Sequence, residues 1–210
     1  MTIHLFARPA LSPIPSGFSI RQKLSLHALI FSIEAIEISY NRLVNGLKDY
    51  GDGSHQSDDR FVIEMLLQAW TIVDNSHRFY KIISGFPGKR NVVNVKGSRF
   101  RPFLDCEEFR NYYEHMEAIP EGRRSTMSFG GIAWFAENGN KVFLILNGVV
   151  GQAPINAITI SPKDIKPIGA ITLTTGPDTI NISDLANALS SIVSDITAGL
   201  GQFRPDVQPT

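Results

Sequence analysis

The stretch Leu26–Leu47, LHALIFSIEAIEISYNRLVNGL, decides the fold of this 210-residue chain. Its apolar residues recur at steps of three and four, which is the spacing of one face of an α-helix. The pattern predicts a helix from about Phe18 to Tyr50, ended by Gly51 and Gly53. Because so long a helix has to bury its apolar face, we expect a second long helix to pack against it.

That second helix is predicted to follow Ser57 and Asp58, which are N-cap candidates, and to end at Gly85 and Pro87. Its apolar residues again recur at helical spacing. They are Phe61, Ile63, Leu66, Leu67, Trp70, Val73, Tyr80 and Ile83.

A third helix is predicted to start near Asp105, because Asp105 and Glu108 have the spacing of a capping box. Pro120 and Gly122 are expected to end it. On a helical wheel its apolar side chains gather on one side, whereas Arg110 falls on the other side. The apolar side chains are Phe109, Tyr112, Tyr113, Met116 and Ile119.

After about Ser125 the sequence becomes typical of short strands. Ile132–Ala136 and Lys141–Leu146 flank an Asn138-Gly139 pair, which is the strongest short hairpin signal. Ile155–Ile160 and Ile168–Thr174 are predicted to be further strands. A last helix, with Ser183 or Asp184 as its N-cap, carries an apolar stripe. Its members are Leu185, Leu189, Ile192, Val193 and Ile196.

The predicted fold class is therefore α+β: an N-terminal antiparallel helical bundle, then a small antiparallel β unit and a C-terminal helix. The predicted boundaries are an extended arm at 1–17, the bundle at 18–124, the β unit at 125–180, the C-terminal helix at 181–200, which can return to the bundle, and a loose tail at 201–210.

Composition narrows the classes of function. The chain has 20 basic and 20 acidic residues, so its surface as a whole is not expected to bind nucleic acid or anionic membrane. The single cysteine, Cys106, excludes an intramolecular disulfide and predicts a cytoplasmic protein. We find no apolar run long enough to span a membrane, no histidine pair with metal-ligand spacing and no cofactor-binding fingerprint. Neither a metal nor a cofactor is expected.

The third helix carries Arg110-Asn111-Tyr112-Tyr113-Glu114-His115. This hexapeptide resembles the R-x(4–6)-H motif of the HEPN superfamily, including the polar residue directly after the arginine. The resemblance is limited to the helical part of the chain. It implies a helical bundle that dimerises through the motif helix, with Arg110 and His115 as catalytic residues of a composite site and Asn111 as an auxiliary residue.

The same resemblance implies a metal-independent endoribonuclease, in a toxin–antitoxin or defence system, with RNA as substrate and an antitoxin as a candidate protein partner. The chemistry suits these side chains. An imidazole exchanges protons near neutral pH, and a guanidinium is a permanent bidentate partner for phosphate. The alternative interpretation of Arg110 is an exposed arginine in an ordinary pair with Glu114, one turn away.

Asp74 and His77 interrupt the apolar stripe of the second helix. A polar pair on such a stripe has to be hydrogen-bonded. The pair either belongs to a hydrogen-bond network that stabilises the bundle, or it positions Arg110 or His115.

Residues 78–101 contain seven basic side chains, no acidic one and several aromatic rings. This composition is typical of a segment that binds single-stranded RNA, although a solvated loop has it too. The predicted RNA-binding residues are Lys89, Arg90, Lys96, Arg99 and Arg101. A rival hypothesis is a non-catalytic bundle protein whose β unit binds a partner, with Asn138-Gly139 at the exposed hairpin tip.

Overall fold

The structure is a computed structural model. It describes residues 14–51, 59–87, 98–114, 130–135, 142–147, 171–175 and 178–201. Five predicted features fall outside these ranges: the strand at 155–160, the hairpin tip at 138–139, the end of the third helix at Pro120 and Gly122, most of the N-terminal arm and most of the C-terminal tail.

The two long helices are present close to their predicted positions: α1 is Ile20–Gly51 and α2 is Asp59–Ser84. They pack antiparallel, as ring contacts at both ends show. Tyr50 stacks on Phe61 with ring centroids 5.4 Å apart, and Phe18 meets Phe86 edge-on at 6.4 Å. Most of the apolar side chains predicted on these two helices lie in the core. The prediction is wrong for Ile63 and Leu67, which lie one turn apart on the outer side of α2 and are 50% and 59% exposed.

The third helix, α3, is Arg101–Glu114 and follows a single turn of 3-10 helix at Ser98–Phe100. The prediction of a start near Asp105 is wrong. Pro102 lies in the first turn, where a missing backbone N–H costs nothing. Phe103 is fully buried beside Phe79 of α2, with ring centroids 5.4 Å apart, so burial extends the helix upstream. Asp105 consequently lies in the second turn and does not cap it.

The four-stranded antiparallel sheet has the order β2-β1-β3-β4. Its strands are β1 Gly130–Phe135, β2 Val142–Asn147, β3 Thr172–Thr175 and β4 Asp178–Asn181. Ile132 of β1 is paired with Ile145 of β2 and with Leu173 of β3. The strand β4 was not predicted.

Gly130 begins β1 with a φ of 95°, and a Cβ at this position would lie 2.5 Å from the carbonyl oxygen of Thr174. Only glycine fits so close to β3. This close approach fixes where the first strand enters the sheet.

The last helix, α4, is Ile182–Gly201. Neither Ser183 nor Asp184 is its N-cap, because the side chain of Asn181 accepts a hydrogen bond from the Asp184 N–H at 3.0 Å. Its buried stripe joins the core that α1, α2, α3 and the sheet share. The C-terminal helix therefore returns to the bundle. The described residues form an α+β fold with a helical N-terminal part, a small antiparallel sheet and a C-terminal helix, as the sequence predicts.

Ser183 joins three parts of this fold. Its hydroxyl oxygen accepts a hydrogen bond from the backbone N–H of Ile171 at 3.0 Å and lies 3.5 Å from the Tyr40 hydroxyl of α1. Ser183 and Ile171 are both buried. The serine thus supplies a partner for a backbone donor that water does not reach.

We expect Ser183→Ala to lower the free energy of unfolding by about 1–3 kcal/mol, because the Ile171 N–H is then left buried without its acceptor. Urea denaturation measures this loss. Ser190→Ala, an exposed change in the same helix, is the matched control and is expected to cost less than about 0.5 kcal/mol. Equal losses for the two variants would contradict the role given to Ser183.

Candidate functional site at the seam between α2 and α3

The candidate site lies where α2 and α3 pack against each other. Trp70 of α2 meets Phe109 of α3 with ring centroids 5.2 Å apart, and Phe79 meets Phe103 further along. The residue numbers rise along α2 as they fall along α3, so the helices are antiparallel. Their apolar contacts bring the polar residues at the edge of this packing into one row, which we call the charged seam.

The charged seam consists of six residues, three from each helix. They are Asp74, His77 and Lys81 of α2, and Glu107, Arg110 and Glu114 of α3. Both sets have steps of three and four, which place each set on one side of its helix. The antiparallel packing sets Asp74 beside Arg110 and Lys81 beside Glu107.

Arg110 is the most connected residue of the seam. Its Nε lies 2.7 Å from Oδ1 of Asp74, which has the distance of an ion pair without the alignment of a hydrogen bond. Its Nη2 also pairs with Oε1 of Glu114, one turn along α3. Only 24% of the Arg110 side chain is exposed. The arginine is thus held by carboxylates from two helices, whereas the helical wheel predicted only the contact with Glu114.

His77 lies between the two ion pairs and is buried, with 9% of its surface exposed. Burial lowers the pKa of its imidazole below the ordinary value of 6.5, and the positive charges of Arg110 and Lys81 lower it further. The carboxylates of Glu107 and Asp74 oppose this shift. The Nδ1 atom has no hydrogen-bond partner among the described residues. The lowered pKa favours the neutral imidazole at His77.

Lys81 and Glu107 close the other end of the seam. The ammonium nitrogen of Lys81 donates a hydrogen bond to Oε1 of Glu107 at 2.9 Å. This contact lowers the pKa of the Glu107 carboxyl. Both side chains are about half exposed, so salt screens the pair and it contributes little to stability.

The structure brings together three of the predicted site residues. Asp74 forms an ion pair with Arg110, and the positive charge of Arg110 lowers the pKa of His77. Asn111 lies exposed on α3, next to Arg110 in the chain. His115 lies outside the described residues.

Of the five residues predicted to bind RNA, Lys89, Arg90 and Lys96 also lie outside the described residues. Arg101 is exposed at the start of α3. Arg99 is engaged: its guanidinium pairs with Asp195 of α4 and lies 5.5 Å from the centroid of the Phe100 ring. Arg99 therefore also ties the C-terminal helix to the start of α3.

Sequence reasoning did not assign Lys81 and Glu107 to the site. A signal for them was present, because the steps of three and four that link Asp74, His77 and Lys81 recur in Glu107, Arg110 and Glu114. Two helices with matching polar rows of complementary charge are expected to align those rows when they pack.

Comparison with family models, with curated proteins and with solved structures finds no match to this chain. Among the described residues, no group of three or more His, Cys, Asp and Glu side chains is placed to hold a metal ion. None of the described helices combines the length and the hydropathy needed to cross a bilayer.

The charged seam predicts the titration of His77. The imidazole is expected to titrate with a midpoint below 6.5 in an NMR pH series, with His77→Gln identifying its signal. As the pH falls, His77 is protonated in the unfolded chain before it is protonated in the folded one. The contribution of His77 to the free energy of unfolding is therefore complete above pH 6.5 and decreases as the pH falls below it. Urea denaturation should show a smaller loss on acidification in His77→Gln than in the wild type. A midpoint at or above 6.5 would contradict the buried environment.

Proposed function

We propose that the chain is a HEPN-like, metal-independent endoribonuclease that cleaves single-stranded RNA through Arg110 and His115. The active form is a homodimer in which two motif helices build a composite site. The observation that carries this proposal is the environment of Arg110. The motif arginine is held at the edge of the α2–α3 packing by Asp74 and Glu114, and 24% of its side chain is exposed.

The chemistry needs one proton acceptor, one proton donor and one fixed positive charge. The 2′-hydroxyl of the RNA gives its proton to the imidazole of His115 as its oxygen attacks the adjacent phosphorus. The bond from phosphorus to the 5′ oxygen breaks, and the second His115 of the dimer supplies a proton to that oxygen. The products are a 2′,3′-cyclic phosphate and a free 5′-hydroxyl.

Arg110 stabilises the charge that accumulates on the phosphate oxygens. Its contact with Asp74 orients the guanidinium, as a supporting carboxylate does in a preorganised site. Glu114 is nearly half exposed and is the partner that an incoming phosphate displaces. Asn111, exposed beside Arg110, donates to a ribose or phosphate oxygen.

The basic residues upstream of the motif guide the RNA to this site. Arg101 is exposed at the start of α3, on the same helix as Arg110. Lys89, Arg90, Lys96 and Arg99 complete the proposed RNA-binding set. A toxin–antitoxin or defence setting, with an antitoxin as partner, follows from the same resemblance.

The test is cleavage of single-stranded RNA in the presence of a chelator. The wild-type protein is expected to yield fragments that end in a 2′,3′-cyclic phosphate, identified by mass spectrometry. Arg110→Ala and His115→Ala are each expected to lower the cleavage rate by at least about 100-fold, the range of a lost acid–base or charge-stabilising group.

Arg60→Ala is the matched control, because Arg60 is an exposed arginine of α2 that belongs to no predicted site. Its cleavage rate is expected to equal that of the wild type. Equal rates for all variants, or no cleavage by the wild-type protein, would rule out the nuclease.

The second candidate function is a non-catalytic bundle protein whose β unit binds a partner. The observation in its favour is the position of β2, which pairs with β1 alone in the described sheet and so lies at its edge. An edge strand presents backbone donors and acceptors to a further strand. Absence of cleavage by the wild-type protein would leave this candidate in place.

A further inference from the structure

The outer face of α1 carries a second feature, an exposed apolar stripe. Four large side chains, Ile20, Leu24, Phe31 and Ile38, are between 53% and 78% exposed. At about 100° per residue they fall within an arc of about 40°, directly opposite the buried side chains of the same helix. We call them the outer stripe.

The outer stripe is large enough to be the apolar centre of an interface. Its four side chains together expose on the order of 500 Å², the size of the largest apolar patch on a typical monomer. A stable interface between two proteins buries about 800 Å² on each partner. The outer stripe alone therefore supplies about 60% of that area.

The spacing of the stripe is self-complementary. Leu24 and Ile38 lie seven residues before and seven after Phe31. If two copies of α1 cross antiparallel with Phe31 on the two-fold axis, Leu24 of each copy faces Ile38 of the other. Contacts of this kind, with the same patch on both partners, are typical of symmetric dimers.

The charges along α1 have the same symmetry. Residues 21–30 contain Arg21 and Lys23 and no acidic residue, whereas residues 32–41 contain Glu34 and Glu37 and no basic residue. Antiparallel crossing at Phe31 sets the basic segment of one copy beside the acidic segment of the other, twice. Parallel crossing would set like segments together, which costs free energy. The opposed helix dipoles favour the antiparallel arrangement as well.

From this complementarity we propose that the outer stripe binds a second copy of the chain, with the two α1 helices antiparallel and Phe31 on the two-fold axis. Ile20 then packs under the methylene stem of Arg42 of the second copy. The contact is separate from the composite site proposed at the motif helix. It stands whether or not the protein is a nuclease.

The first test is sedimentation of the full chain over a concentration series up to about 100 µM. The wild-type protein is expected to self-associate, and Phe31→Ser is expected to raise the dissociation constant by about tenfold or more, because it removes the central aromatic contact. Leu67→Ser, an exposed leucine on α2 and outside the motif helix, is the matched control and should leave the constant unchanged.

The second test fixes the orientation. Leu24→Glu and Ile38→Lys should each weaken self-association, and the two changes in one chain should restore it. Positions 24 and 38 are about 21 Å apart along one helix, so the introduced charges meet only between antiparallel copies. In a parallel pair the double variant would place like charges together and stay weak. Because both side chains are exposed, the variants keep the fold, which circular dichroism verifies.

Three results would overturn the proposal. A chain that stays monomeric over the whole series would leave residues 1–13 or a different protein as the occupant of the stripe. Association that Phe31→Ser does not weaken would move the contact, to α2 if Leu67→Ser weakens it and to the motif helix if it does not. A double variant no stronger than its single variants would exclude the antiparallel arrangement.

Discussion

The burial of α1 against α2 is the contact on which the other elements depend. The helices approach closely at Gly46, where a Cβ would lie 2.5 Å from the Sδ atom of Met65. Their shared core continues into α3, α4 and the sheet, and Trp134 of β1 packs on Tyr50 at the end of α1 with ring centroids 5.8 Å apart. Because α1 takes one face of α2, the adjacent face is left for α3. The row of Asp74, His77 and Lys81 borders that face, and α3 supplies the matching charges.

The electrostatics of the charged seam orient Arg110 more than they stabilise the bundle. Arg110 between Asp74 and Glu114 is neutralised at rest, and it is only partly desolvated. Pairs of this kind contribute modestly to the free energy of folding, so the seam is not what holds the bundle together. Their effect is to fix the direction of one guanidinium. A phosphate that replaces Glu114 would meet a positive charge that is already oriented. Such a preorganised site needs no reorganisation when the phosphate binds.

Much of the fold could be predicted from the sequence, because the spacing of the apolar residues indicates which segments form helices and strands. The stripe from Leu26 to Leu47 predicts α1, and the Asn138-Gly139 pair predicts the pairing of β1 with β2 although the turn itself lies outside the described residues. Helix starts were predicted less well. The capping signals at Asp105 and Ser183 were overridden, in the first case by burial of Phe103 and in the second by the use of the serine hydroxyl for the Ile171 N–H.

The candidate site was predictable in part. A carboxylate on an apolar stripe needs a polar partner, so the sequence predicts one for Asp74. In the structure that partner is Arg110. The matching polar rows of α2 and α3 indicate that charge pairs form between these helices, but the packing of the helices decides that Lys81 meets Glu107. Likewise, the prediction that Arg99 binds RNA rests on its charge alone. In the structure Arg99 pairs with Asp195, which is 96 positions away along the chain. Long-range pairing of this kind is set by packing rather than by spacing along one helix.

The proposed exchange of a carboxylate for a phosphate at Arg110 is tested most directly by the affinity of the wild-type protein and two variants for a non-cleavable 2′-O-methyl RNA. Removing the competing charge in Glu114→Gln should tighten binding by several-fold, about the effect of one exposed charge, whereas Arg110→Ala should weaken it. Equal affinities of the wild type and both variants would contradict the account.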